Sequence, residues 1–149
     1  MGKRGEAWVA LQVVLIAMIL VSPKVEVFPL PLWLRLMGVV VLLGGGMLGT
    51  LGILSLGRNL TPLPRPKAGG FLVTGGVFGL VRHPIYSGVI FGSLGWALVA
   101  ETPVGIGLAV ALFLFFDLKS RREERWLIEA YPGYIAYQDR VKRLVPFLY

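Results

Sequence analysis

Two short segments of the sequence gather polar side chains beside long apolar runs, where apolar residues would cost less free energy. They are residues 82–88, which read RHPIYSG, and residues 121–127, which read RREERWL. Carboxylates pair with cations, and guanidinium or imidazole groups bind anions through charge-assisted hydrogen bonds. Tyrosine rings offer flat faces to cations, and histidine is suited to proton transfer near neutral pH. If the fold brings the segments together, they predict one polar site.

Each segment alone also has a purely structural interpretation. Arg82, His83 and Tyr86 belong to residue types that anchor helix ends at a membrane surface. The arginines and glutamates of 121–127 fit the solvated end of a helix that carries i,i+3 and i,i+4 ion pairs. Residue type and spacing therefore leave both interpretations open for either segment.

Composition places these segments in a membrane protein and removes several kinds of chemistry. The 149 residues suffice for one domain, here a single membrane domain over 1–149, with 56% hydrophobic and 15% charged residues. Soluble domains carry about 25% charged residues, so lipid is expected to cover much of this surface. The sequence holds no cysteine and one histidine, which excludes disulfides, thiol nucleophiles and multi-histidine metal centres. We therefore expect no metal site.

Basic residues follow a pattern that is typical of membrane topology. The net charge is +7, yet the basic residues flank apolar runs instead of forming the soluble basic face that nucleic acid requires. This positive-inside bias predicts that both termini, the 57–84 loop and the tail lie in the cytoplasm. The residues concerned are Lys3, Arg4, Arg58, Arg65, Lys67, Arg82, Lys119, Arg121, Arg122, Arg125, Arg140, Lys142 and Arg143.

Hydrophobic runs predict an all-α, multi-pass integral membrane protein with about four transmembrane helices. Residues 1–56 contain two N-terminal spans, at 7–22 and 32–57; the first is shorter than the roughly 20 residues that a span needs. The run 85–116 predicts a helical hairpin that turns at Glu101.

Two local patterns have a second interpretation. The first apolar run could belong to a signal peptide, but no small-x-small cleavage site precedes Pro23, so an anchor helix is favoured. Residues 44–49 match the dinucleotide fingerprint G-x-G-x-x-G. No strand precedes them, so close packing of membrane helices through Gly45 and Gly49 is the better interpretation.

The remaining part of the chain, 57–149, is expected to hold the cofactor-binding loop, the hairpin and a C-terminal amphipathic helical tail from Asp117 to Tyr149. Pro62, Pro64 and Pro66 prevent a continuous helix in the 57–84 loop. The same loop is rich in apolar residues, unlike a solvated linker. We expect an ordered cytoplasmic loop at the membrane surface, and long ordered loops are usually functional.

The two polar segments and their surroundings resemble the isoprenylcysteine carboxyl methyltransferases and their relatives, which include phospholipid methyltransferases. The family pattern is R-H-P-x-Y-x-G, a hydrophobic hairpin, E-E-x-x-L, an aromatic residue, Y-x-x-Y and V-x-R-x-x-P. The resemblance covers residues 57–146, and its specificity lies in the order of the elements. The spacing before Tyr134 is one residue shorter than in many relatives. The matching residues are Arg82, His83, Pro84, Tyr86, Gly88, Glu123, Glu124, Leu127, Tyr131, Tyr134, Tyr137, Val141, Arg143 and Pro146, and the segments 59–62 and 72–76 are also similar.

The resemblance implies S-adenosylmethionine as the cofactor. One of the two glutamates would pair with its ammonium group, and the arginine or histidine of the first segment would meet its carboxylate. Tyrosine rings would face the adenine and the sulfonium, and glycines of the 69–76 loop would let the backbone approach closely. The residues expected to bind the cofactor are Gly75, Arg82, His83, Tyr86, Glu123, Glu124, Tyr134 and Tyr137.

The methyl acceptor is expected to be a lipophilic molecule that enters from the bilayer, among membrane lipids. A carboxylate acceptor needs no general base, only alignment with the methyl group. An amine, phenol or thiol must lose a proton, and His83 is then the candidate base. Arg122 or Arg125 would orient an anionic acceptor.

Two other functions fit parts of the same pattern. Membrane sterol reductases carry a similar R-H-P-x-Y segment and bind NADPH near it, although E-E-x-x-L suits them less well. A non-catalytic membrane module with a basic tail would bind anionic lipid or a partner. Binding of S-adenosylmethionine without NADPH would favour the methyltransferase.

Overall fold

The computed structural model describes residues 6–24, 29–60 and 69–149, and the regular structure in these ranges is helical. The all-α prediction is therefore confirmed for this part of the chain, in which a single isolated bridge joins Val81 and Lys142. The helices are α1 (Glu6–Leu20), α2 (Leu32–Leu56), α3 (Pro84–Val99), α4 (Pro103–Ala130) and α5 (Tyr134–Arg140), with 3-10 turns at Gly57–Asn59 and Gly76–Gly79.

Two segments, Leu32–Asn59 and Pro103–Ala130, are long and apolar enough to cross a membrane by length and composition. The helices α1 and α3 are apolar but shorter, with 15 and 16 residues. Part of the predicted loop, including its three prolines, lies outside the described residues, as do Lys3, Arg4, Arg65 and Lys67. The count of four spans stays a prediction.

Local chemistry explains where α3 and α4 begin. Each starts with a proline, Pro84 or Pro103, at the position where a helix has no use for a backbone N–H. The hydroxyl of Thr102 caps α4 by accepting a hydrogen bond of 3.0 Å from the amide of Gly105. The turn between α3 and α4 therefore falls where the sequence predicts it.

The end of the predicted hairpin needs a correction. We expected a separate tail from Asp117 onward, but α4 is one helix of 28 residues that runs on to Ala130. No proline or glycine interrupts the sequence between Gly107 and Pro132. An i,i+4 ion pair of 2.8 Å between Arg121 and Asp117 supports the helix where the tail was expected to begin. The second polar segment is thus a rigid continuation of a membrane-type helix.

Glycines allow α2 and α3 to pack with their backbones almost in contact. A Cβ atom added at Gly45 would lie 2.6 Å from the amide nitrogen of Gly92, and one at Gly88 would lie 2.6 Å from the Cα of Gly49. Residues 44–49 lie inside α2, as the packing interpretation of the fingerprint requires. This close pair fixes the start of α3, where the first polar segment lies.

Gly45→Ala is expected to lower the free energy of unfolding by about 1–3 kcal/mol, because the added methyl group pushes α2 away from α3. Gly46→Ala is the matched control, since a Cβ there meets nothing within 4 Å. That variant should be neutral or slightly more stable, because alanine favours a helix over glycine. Thermal unfolding of both variants in the same detergent measures the difference. Equal midpoints would contradict close packing at Gly45.

Candidate active site

The chain after α5 returns to the start of α3 and holds it in place. The amides of Arg82 and His83 donate to the carbonyls of Lys142 and Arg143 at 2.8 and 3.1 Å. One helical turn later, the hydroxyl of Ser87 donates to the carbonyl of Leu144 at 2.6 Å. These bonds bring the first polar segment against the C-terminal half of α4, so the two segments do meet.

Glu124 lies at the centre of the joined segments and is 3% exposed. Its Oε1 accepts a hydrogen bond of 2.7 Å from Arg82 Nε and lies 3.2 Å from His83 Nε2. Its Oε2 accepts from Gln138 Nε2 at 2.9 Å and from Arg143 Nε at 3.2 Å. Both carboxylate oxygens are therefore used by the protein itself.

Arg82 is equally committed to internal contacts. Besides Glu124, its Nη1 donates to the carbonyl of Gln138 at 2.9 Å and to that of Val141. The side chain is 7% exposed. A buried arginine that ties α3, α4 and the end of α5 together holds the site in shape.

Glu123, the neighbour of Glu124, faces in another direction. Its Oε2 accepts a hydrogen bond of 2.6 Å from the hydroxyl of Tyr86 and lies 4.0 Å from His83 Nδ1. The contacts found for it among the described residues all involve Oε2. The ring of Tyr86 stacks between those of His83 and Phe116, at centroid distances of 5.2 and 4.6 Å. Glu123 is therefore held in place through Oε2.

A cavity of about 360 Å³ opens beside Glu123. Its walls are formed by the C-terminal half of α4, the start of α3, the helix α5, the end of α2, part of α1 and the 70–73 segment. Most of the lining is apolar or aromatic, with a few polar groups that converge from α3 and α4. Small-molecule sites in proteins are commonly built this way.

Two tyrosines of α5 close the cavity on one side. The rings of Tyr134 and Tyr137 meet edge to face, with centroids 5.7 Å apart. Burial raises the pKa of both phenols above the usual 10, so both keep their protons at neutral pH. The hydroxyl of Tyr137 donates to the carbonyl of Phe78 at 2.5 Å. That of Tyr134 is buried and has no hydrogen-bond partner among the described residues, which is costly unless a ligand accepts from it.

Comparison with known proteins places this site in a family. The sequence profile of the phospholipid methyltransferases matches residues 33–133, more than half of the chain. The chain belongs to that family. Protein-S-isoprenylcysteine O-methyltransferase B of Arabidopsis thaliana is 32% identical over 120 residues, which are 78% of this chain and 61% of the relative. The human protein-S-isoprenylcysteine O-methyltransferase is 28% identical, and the match covers 78% of this chain and 42% of the human protein.

The fold is shared with a solved membrane protein. The structure of the eukaryotic intramembrane Ras methyltransferase, an isoprenylcysteine carboxyl methyltransferase, matches with a TM-score of 0.70 and 30% identity. The match covers 78% of this chain and 43% of that one. The resemblance seen in the sequence is thus confirmed, and the fold is of the same membrane type. The chain spans between 42% and 61% of the length of these relatives.

In this member of the phospholipid methyltransferase family, some of the residues predicted to bind the cofactor or the acceptor line the cavity and others do not. Those that line the cavity are Arg82, His83, Tyr86, Glu123, Tyr134 and Tyr137. Glu124 does not line the cavity, and both of its carboxylate oxygens contact other residues of the protein. Gly75 is outside the lining, to which the neighbouring segment contributes Gly70 instead. Arg122 and Arg125 are exposed on other faces of α4, and the Arg122 guanidinium lies 5.6 Å from the centre of the Trp126 ring.

Lys119 is a charged cavity residue that the sequence analysis did not predict. Lys119 was counted as a basic residue at the membrane surface, yet it is 3% exposed and lines the cavity. Its ammonium group donates to Gln12 Oε1 of α1 at 2.7 Å. The signal was its spacing, because residues four apart share a helix face and Lys119 precedes Glu123 by four.

Proposed function

We propose that this chain transfers a methyl group from S-adenosylmethionine to a lipophilic acceptor at the membrane. The observation that carries the proposal is the cavity, whose lining includes the carboxylate residue Glu123 together with Tyr134 and Tyr137 of α5. The known relatives in the family are named as methyltransferases. This chain spans only part of their length, and its activity and acceptor are therefore stated as a proposal.

The residues of the cavity fit the chemical groups of this cofactor. Glu123 would take the ammonium of its methionine part, through a charge-assisted hydrogen bond. The tyrosines of α5 would supply aromatic faces for adenine and for the sulfonium cation.

When bound, S-adenosylmethionine supplies a methyl group on a sulfonium: an acceptor lone pair forms the new bond to carbon, and the electron pair of the broken bond stays on sulfur. The remaining residues of the site would keep the cofactor-binding groups in position. Glu124 and Arg82, with their oxygens and N–H groups engaged inside the protein, would orient His83 and the start of α3. His83 would act as a positioning residue that supports Tyr86 and Glu123. The apolar walls would exclude water.

We propose that the chain crosses the membrane four times, with both termini and the cavity at the cytoplasmic side. The α2 face that α3 leaves uncovered is apolar, as lipid contact demands; it includes the exposed residues Leu32, Leu36, Val40, Leu43, Met47 and Leu54. With about 1.5 Å per residue, α1 and α3 would be short spans that need a locally thin bilayer. The acceptor would then enter laterally and the cofactor from water.

Binding titrations test the proposal against the two alternatives. Detergent-purified protein is titrated with S-adenosylmethionine, S-adenosylhomocysteine and NADPH by calorimetry. We expect saturable binding of the first two and none of the third. Binding of NADPH would favour a reductase that resembles the membrane sterol reductases. Absence of binding by all three, in protein that unfolds cooperatively, would favour a non-catalytic module that binds anionic lipid or a partner.

A further inference from the structure

One wall of the cavity is a segment without regular structure. It belongs to residues 69–76, here called the strap, of which residues 70–73 line the cavity. The strap begins at Gly69 and ends at Gly76, whose φ angles are 75° and 60°. Glycine adopts such left-handed backbone at little cost, and a few small residues at the ends of a segment can absorb the rotations of a hinge. The strap is therefore a distinct piece of the wall with a glycine at each end.

One polar contact joins the strap to the helical part of the fold. The side-chain amide of Asn59, in the 3-10 turn after α2, donates to the carbonyl of Phe71 at 2.9 Å. In the described part of the chain, no other hydrogen bond reaches the backbone of residues 70–74. The Asn59 bond is exposed, so water can replace it and its net contribution to stability is small.

The apolar contacts of the strap are also limited. Leu72 and Val73 are only partly buried where they pack near Phe78 and the two tyrosines of α5. The ring of Phe71 is 66% exposed. The walls formed by α3 and α4 differ, because the buried hydrogen bonds of Glu124 join their surroundings. Segments with few buried contacts and exposed hydrogen bonds open at the lowest cost, so the strap is the wall that opens first.

We infer that the strap is the gate through which S-adenosylmethionine enters and leaves, and that Asn59 is the positioning residue that holds this gate closed. The inference rests on the proposed function and adds the route of the cofactor. The strap lies in the 57–84 loop, on the side of the chain proposed to face the cytoplasm, where a water-soluble cofactor is available. In the closed state, residues 70–73 complete the cavity wall and keep water from the bound cofactor.

A residue that holds a gate closed has a characteristic effect on binding kinetics. The bond between Asn59 and Phe71 stabilises the closed strap in the empty and in the occupied cavity alike. Its loss therefore raises the open fraction of both states by one factor, so that association and dissociation become faster together and Kd does not change. A residue that contacts the ligand instead changes Kd, chiefly through the dissociation rate.

Binding rates of S-adenosylhomocysteine test the role of Asn59. They are measured by surface plasmon resonance on the immobilised full chain in detergent. Asn59→Leu should raise both rate constants by about 3- to 10-fold, as the loss of one exposed hydrogen bond predicts, while Kd stays within about two-fold of wild type. Arg140→Leu is the matched control, because it removes another exposed bond from a side chain to a carbonyl, that to Ala136 at 3.1 Å. Its rate constants should equal those of wild type.

A reversible cross-link tests the route of the cofactor. The chain holds no cysteine, so Asn59→Cys combined with Phe71→Cys introduces its only two thiols, one on each side of the gate. A short bifunctional methanethiosulfonate reagent joins them, and a reducing agent separates them again. S-adenosylhomocysteine that was bound before cross-linking should no longer dissociate. Reduction should release it at the rate found for Asn59→Leu, because the bond to Phe71 is missing in both proteins.

The outcomes separate this inference from the proposed function. If wild type does not bind S-adenosylhomocysteine, the proposed function fails, and the inference fails with it. If wild type binds but Asn59→Leu keeps the wild-type rates, or loses affinity through dissociation alone, the inference is wrong and the methyltransferase proposal stands. Equal release from the cross-linked and the reduced protein would overturn the inference in the same way. Should Asn59→Leu not fold, Asn59→Ala removes the same bond, and the same increase of both rates is required of it.

Discussion

Glu124→Gln is expected to lower the free energy of unfolding by about 3–5 kcal/mol, the cost of breaking a buried ion pair from one side. The change keeps the size of the side chain and removes its charge. Arg82 then stays buried without a negatively charged partner, and Arg143 loses one of two carboxylates. Because these contacts join α3 and α4 to the chain after α5, the loss should affect the fold and not only the cavity.

Chemical unfolding in detergent, followed by helical circular dichroism, measures this effect. Glu129→Gln is the control, because it removes a carboxylate from an exposed position of the same helix. Its unfolding midpoint should match that of wild type. A Glu124→Gln protein as stable as the control would show that the buried network contributes little. Replacement of both Arg82 and Glu124 by leucine should restore part of the loss, because no uncompensated charge is left in the interior.

The sequence did not show which of the two glutamates faces the cavity and which is buried in internal contacts. The pattern E-E-x-x-L identified the pair but not the roles of its members. Adjacent residues on a helix point about 100° apart, so the two glutamates meet different surroundings. Which one faces the cavity depends on the rotation of α4 against α3 and α5, and that rotation is set by packing over the whole bundle. Local sequence does not contain it.

The same rotation explains why Arg122 and Arg125 do not line the cavity. Both belong to the second segment and were expected to orient an acceptor, but they lie on exposed faces of α4. Lys119 lies on the face of Glu123 and was overlooked, since basic residues after an apolar run are normally interfacial. Helical spacing from Glu123 would have found it, provided that α4 had been predicted to continue past Asp117.

The parts of the fold that depend on composition were the easiest to predict. Apolar runs placed the helices, and the prolines at 84 and 103 placed two of their starts. The return of the chain after α5 was beyond prediction, because it rests on backbone hydrogen bonds between residues about sixty positions apart, such as Arg82 to Lys142. Contacts of that kind follow from the packed fold and leave no local pattern.

Glu123→Gln is expected to reduce affinity for the cofactor by about ten- to a hundred-fold, the equivalent of ~1.5–3 kcal/mol for a hydrogen bond to a charged group. The carboxylate lines the cavity, and Tyr86 fixes one of its oxygens at 2.6 Å. Glutamine keeps the contact with Tyr86, because its amide oxygen accepts the same hydrogen bond. It loses only the negative charge that would meet the ammonium. Stability should therefore stay close to that of wild type, in contrast to Glu124→Gln.

Calorimetric titration of Glu123→Gln, Glu124→Gln and Glu129→Gln with S-adenosylhomocysteine separates the two roles in a single experiment. That product carries the same ammonium group without the reactive methyl, so affinity is measured free of turnover. Glu129→Gln should bind as wild type does, and Glu123→Gln should bind weakly while it still unfolds at the wild-type midpoint. A folded Glu123→Gln protein with normal affinity would remove Glu123 from the cofactor site. If Glu124→Gln, studied below its unfolding midpoint, showed the larger loss of affinity, the ammonium would have to be assigned to Glu124, and its internal contacts would have to open on binding.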